Sequence, residues 1–216
     1  MIATSSSDQI GFRAMCLRGI AYILLVTAMM EGVFYATTSQ AAGRFTEYGI
    51  TEIAQSLFLL IATALAIVAR AIDRALVSQV SLLLIALLGA SLIREQDSWL
   101  DEHIFDGAWQ ILVSLLVIPI LFIMIRQRKA FALQFERLAN TFAFGMFAAG
   151  FLTVYVFSRL FGRSELWKAV LGERYLRIFK DAVEETAELF GYTLLMIAMF
   201  ELVLLIRRWQ RTLPAR

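Results

Sequence analysis

Asp181, Glu184 and Glu188 recur at i, i+3 and i+7, with Glu185 beside them. On a helix that spacing lines three carboxylates along one face. Like charges held so close need something positive between them, or they take up protons. A divalent metal ion, the Arg94 guanidinium and bound protons are the three ways of meeting that need. A second concentration runs from Arg94 to Trp109, where Glu95, Asp97, Asp101, Glu102 and Asp106 accompany His103, the only histidine of the chain, and two tryptophans. If that stretch is helical, Asp97 and Asp101 share a face at i and i+4. Glu31, and Glu52 with Gln55 at i and i+3, place further polar groups inside stretches that are otherwise apolar.

Converging carboxylates favour a hard cation such as Ca²⁺, Mg²⁺ or Mn²⁺, whereas Zn²⁺ would use His103 with two or three acids. The expected ligands are Glu52, His103, Glu184 and Glu188. Glu95 and Asp97 are the expected general bases, and Glu31, Gln55 and Arg94 are assigned to structure and charge pairing. The competing reading pairs Arg94 with Glu95 or Glu184 and leaves the loop acids and His103 in solvent. A third makes the carboxylates proton carriers. Solvation accounts easily for Asp101, Glu102 and Asp106. It does not account for Glu31, Glu52 and Glu188, because a lone carboxylate in hydrocarbon is neutralised or partnered.

The elements that must hold these groups are membrane helices. Hydrophobic residues make up 60% of the 216-residue chain, only two residues are proline, and the mean hydropathy is +0.72. The apolar runs are continuous rather than alternating, which sets a β-barrel aside. A crossing of roughly 30 Å needs about 20 residues. Runs at 14–36, 50–70, 75–93, 107–126, 139–161 and 183–206 meet that length. The expected fold is therefore all-α, a single six-span membrane domain over 1–216. Residues 163–181 interleave cations with Leu166, Trp167, Val170 and Leu171 and read as an amphipathic helix at the membrane interface.

Arginine and lysine set the orientation. Arg13, Arg18, Arg70, Arg74, the group Arg126–Arg137 and the final arginines fall on one side, and only Arg44 and Arg94 lie in the short loops opposite, beside Glu47. This distribution predicts an inner-membrane protein with both termini cytoplasmic and the acidic groups facing outward.

Cys16 is the only cysteine, so it can form neither an intramolecular disulfide nor a thiolate cluster. The sequence has no Gly-rich phosphate loop, no G-x-S-x-G elbow and no basic patch interleaved with aromatics for nucleic acid. Three functions fit the pattern: a metal-assisted hydrolase of a lipid or lipid-linked substrate, a proton- or cation-coupled transporter, and a non-enzymatic accessory subunit or sensor of a membrane complex. Membrane lipid is an expected partner in each, and another protein in the last.

Overall fold

The computed structural model describes residues 10–39 and 49–212, so Arg44 and Glu47 lie outside the described residues. Among the described residues ten α-helical segments succeed one another: α1 (Phe12–Ser39), α2 (Ile50–Ile72), α3 (Arg74–Arg94), α4 (Asp97–His103), α5 (Ala108–Arg126), α6 (Arg128–Ala139), α7 (Phe142–Leu152), α8 (Ser158–Phe161), α9 (Ser164–Leu171) and α10 (Arg177–Thr212). A π-helical turn, Thr153–Phe157, joins α7 to α8 in one continuous span. Six stretches are long and apolar enough to cross a membrane, and no strand occurs among the described residues. The protein is thus a polytopic all-α membrane bundle.

The last span is the centre of the bundle. In its most apolar window 72% of residues are buried, against 11% for α1. It packs chiefly on α2 and α7. On the α2 side the contact face repeats small residues, Ala62, Ala66 and Ala69 below Leu59, all fully buried against a row on α10 that includes Leu195, Ala198 and Leu202. Small side chains let two backbones approach, which is how helices gain packing energy where lipid removes most of the hydrophobic drive. The α7 side uses glycine. A Cβ at Gly150 would lie 3.0 Å from Gly191 O and from Leu195, and one at Gly191 would run into Val154.

Polar groups fix the remaining elements. Val77 departs from helical geometry and kinks α3. Just past the kink, Gln134 of α6 accepts from the amides of Gln79 and Val80 at 2.8 and 3.3 Å, while Arg70 donates to Ser78 O. Arg137 of α6 stacks its guanidinium 4.0 Å from the buried Trp209 ring. These contacts hold α6 as a helix across the end of the bundle, over residues whose composition alone suggests only a basic connector. At the same end α1 is tied to α10 through Glu201, which accepts from Arg18 at 2.8 Å and from the Tyr22 hydroxyl.

The interfacial segment differs from the expected 163–181. Helix α9 ends at Leu171 because Gly172 takes φ +56°, a left-handed conformation that interrupts helical progression, and residues from Arg177 onward already belong to α10. None of α9's residues is buried, and Trp167 donates its indole N–H to Phe161 O at 2.8 Å.

The Gly150–Gly191 approach is testable by overpacking. Gly191→Ala is expected to destabilise the bundle by about 1–3 kcal/mol. The same substitution in a Val154→Ala background should cost clearly less, because the methyl it meets is gone. Thermal unfolding in detergent measures both, and equal penalties would contradict so close a contact.

Candidate functional site

The acidic face of α10 lies at the end of the bundle where α3, α8 and α2 converge on it. Arg159 reaches it first. One guanidinium nitrogen lies 3.0 Å from Glu184 and the other 2.5 Å from Glu188. From one turn back along α10, Lys180 meets the second oxygen of Glu184 at 2.5 Å. Arg94, the last residue of α3, lies 3.1 Å from Glu95 and 3.8 Å from Glu188. Tyr192, fully buried one turn beyond Glu188, donates its hydroxyl to Glu95 at 2.7 Å. The carboxylates and cations alternate across three helices, and the stripe is compensated by the chain's own arginines and lysine.

Local structure explains why the cations arrive where they do. The π turn takes more residues than an α turn and resets the register of α8. Past that turn, Ser158 is buried with its hydroxyl bonded to Val154 O and 3.5 Å from Glu188, while Arg159 spans both carboxylates. Gly162 then lets the chain pass over Glu184. A Cβ there would come within 2.8 Å of the Glu184 carboxyl carbon. Ser91 of α3 and Tyr155 of the π turn share a hydrogen bond just inside the cluster, pinning α3 to this span.

On the other flank, Gln55 of α2 is fully buried and donates to both the carbonyl and the carboxylate of Glu185, at 3.0 and 2.9 Å. Its own carbonyl oxygen has no hydrogen-bond partner among the described residues. Gln96 donates to Ser56 at 2.7 Å and closes the α2–α3 corner.

Several sequence expectations are met here and several are not. Arg94 does pair with Glu95, but its second carboxylate is Glu188 rather than Glu184, because Arg159 and Lys180 already occupy Glu184. Glu31 does not join the cluster. It lies two residues from Met29, the position by which α1 is buried against α10, and so about 200° around the helix from it. Its carboxylate is exposed, with no hydrogen bond or ion pair to it among the described residues. Glu52 is half-buried near the start of α2.

The segment around His103 is helical, as α4, but it stands away from the carboxylates of α10. His103 is exposed, stacks on Trp99 with ring centroids 4.8 Å apart and donates from Nδ1 to Trp99 O at 3.0 Å. Asp97 is exposed and accepts from the Ser98 amide at 2.7 Å. Asp101 accepts from the amide of Gly107, whose φ of +85° turns the chain from α4 into α5. No group of three or more His, Cys, Asp or Glu side chains is placed to hold a metal ion among the described residues. Glu52, His103, Glu184 and Glu188 are accordingly not gathered into one ligand set.

Sequence reasoning overlooked Arg159, Lys180, Tyr192 and Ser158. Two of these carried a signal. Arg159 is a cation inside an expected span and therefore owes a partner. Lys180 stands four residues before Glu184, the spacing of an intrahelical ion pair. Tyr192 and Ser158 carried none, since an apolar helix accommodates either without a polar partner at a known position.

No protein-family model, curated protein or solved structure matches this chain.

The Arg159–Glu188 pair makes a specific prediction. Glu188 is buried, whereas Arg159 reaches it from an exposed position with 41% of its side chain accessible. Removing one partner leaves the other charge uncompensated, whereas removing both need not. Arg159→Gln and Glu188→Gln should each lower the melting temperature in detergent by several degrees, and the double variant should recover more than half of the loss. Additive losses would show that the two side chains do not depend on each other.

Proposed function

We propose that this chain is a non-enzymatic component of a membrane complex, residing in an inner membrane with both termini on the cytoplasmic side and the acidic end of the bundle facing out. The observation that carries this reading is the division of labour among the intramembrane acids. Those of α10 are met by Arg94, Arg159 and Lys180 and hold the bundle together. Glu31, within an apolar span, instead points away from the bundle. A short acidic side chain seven residues before the end of its span sits about 10 Å from that end, too deep to reach water easily. A transmembrane helix of another subunit bearing Lys, Arg or His at that depth would satisfy it. Helix α1 is suited to such a role, since it is the span least buried in its own bundle.

The divalent-cation reading, with hydrolysis of a lipid or lipid-linked substrate, requires Glu184 and Glu188 to give up Arg159 and Lys180 in exchange for an ion. Coupled transport requires a polar route from the cluster towards Glu201. Along α10 that interval is built from Leu195, Ala198 and Met199, all buried in the apolar core, which favours the subunit reading over transport.

The test uses a photo-crosslinking amino acid at Phe34 of α1, which is exposed on the same side as Glu31, and at Leu115 of α5 as a lipid-facing control. In native membranes the Phe34 position is expected to give one discrete protein adduct that Leu115 does not give. Glu31→Leu should abolish it while leaving the abundance of the protein unchanged. Identical lipid-only labelling from both positions would overturn the proposal.

A further inference from the structure

A cavity of about 260 Å³ lies between α3 and α7, floored by α10 and closed at one end by α6. Leu84 and Leu87 of α3, Phe135 of α6, Phe147 and Phe151 of α7 and Ala198 of α10 form its walls, and every residue lining it is apolar. Its aromatic side is a continuous row in which Phe135 meets Phe144 edge-on at 5.3 Å, followed by Phe147, Phe151 and Tyr155. Most of these rings are only half-buried, so the cavity is a groove along the side of the bundle rather than a sealed void. Its walls on α3 and α7 belong to two spans, which puts it at hydrocarbon depth.

The two ends differ. One turn beyond Leu87 and Phe151 stand Ser91 and Tyr155, joined by their hydrogen bond, and one turn further are Arg94 and Arg159 of the charged cluster. At the opposite end Phe131 and Leu138 of α6 cap the space. A molecule filling the groove therefore has its polar end at the cluster and its apolar end against α6.

We infer that the groove holds one acyl chain of a phospholipid from the surrounding bilayer, with the ester end beside Ser91 and Tyr155. Water does not settle in a space without polar partners, and leaving it empty forfeits the dispersion contacts of every wall. A hydrocarbon chain restores those contacts without any hydrogen-bonding demand. The volume falls just below the range of about 300–1,000 Å³ typical of pockets for whole drug-sized molecules. One tail enters, and the second stays in the bilayer. From Leu87 to Val80 the α3 wall is seven residues, roughly 10 Å long, so the groove grips part of one chain. This occupant is independent of the partner helix proposed for α1.

The experiment places the full chain in phosphatidylcholine nanodiscs containing a trace of the same lipid with a diazirine on one acyl chain. After irradiation, mass spectrometry maps the adducts. Labelling of Phe147 and Phe151 is expected to exceed that of Leu115 and Ile118, exposed positions on α5 that meet only bulk lipid. Two variants narrow the groove from different walls, Leu87→Trp from a half-buried position and Ala143→Leu from beside α6. Each should lower labelling of the groove by about tenfold, equivalent to about 1.4 kcal/mol of lost chain contact, with α5 labelling unchanged. Groove labelling no greater than that of α5 in the native chain, or labelling untouched in a variant that keeps its melting temperature, would overturn the inference.

Discussion

Charge compensation within the membrane is the constraint that the rest of this bundle obeys. Four glutamates, Glu95, Glu184, Glu185 and Glu188, converge where α3 and α10 meet, and Glu188 is almost wholly out of reach of surrounding solvent. Carboxylates there are tolerable only if cations and donors come to them. That requirement explains features that look unrelated along the chain. The π turn carries Arg159 to both Glu184 and Glu188, Gly162 clears the passage over Glu184, the end of α3 delivers Arg94, and the buried Tyr192 supplies a hydroxyl to Glu95. The same logic recurs at the other end of α10, where Arg18 and Tyr22 meet Glu201.

The two polar ends are separated by an interior of a different kind. Between them, packing rests on alanine and glycine surfaces that bring α2 and α7 close to α10, and on larger side chains that fill what remains. Where α3 and α7 stand too far apart for side chains to fill the gap, the groove results. The molecule is thus pinned at both ends by ion pairs and is more open at mid-depth along one side, an arrangement suited to holding lipid.

Much of the architecture was legible in the sequence because hydropathy reports span length directly. The six runs correspond to the six spans within a few residues, except that α10 begins earlier than 183, its polar first turns concealing its helical start. Helix α6 was not legible as an element, because its 12 residues are too few to cross a membrane and Arg128, Lys129 and Arg137 at its two ends mark it as a connector between spans. The helix expected over 163–181 is too long, since the positive φ at Gly172, a 3-10 turn over Gly172–Arg174 and the extended Tyr175 separate α9 from α10. The site was legible by half. Spacing within one helix reveals which acids share a face and that they need compensation. It does not reveal which distant residue arrives to compensate them, and so Arg159 was overlooked while Glu31 was drawn into a cluster it does not reach.

Elemental analysis by plasma mass spectrometry tests the central claim most directly, by comparing the detergent-purified native chain with a Glu184→Ala, Glu188→Ala double variant. If the carboxylates of α10 are occupied by the chain's own arginines and lysine, neither preparation carries a divalent metal near one equivalent. A stoichiometric metal in the native chain that disappears in the variant would contradict the account and return Glu184 and Glu188 to the role of ligands.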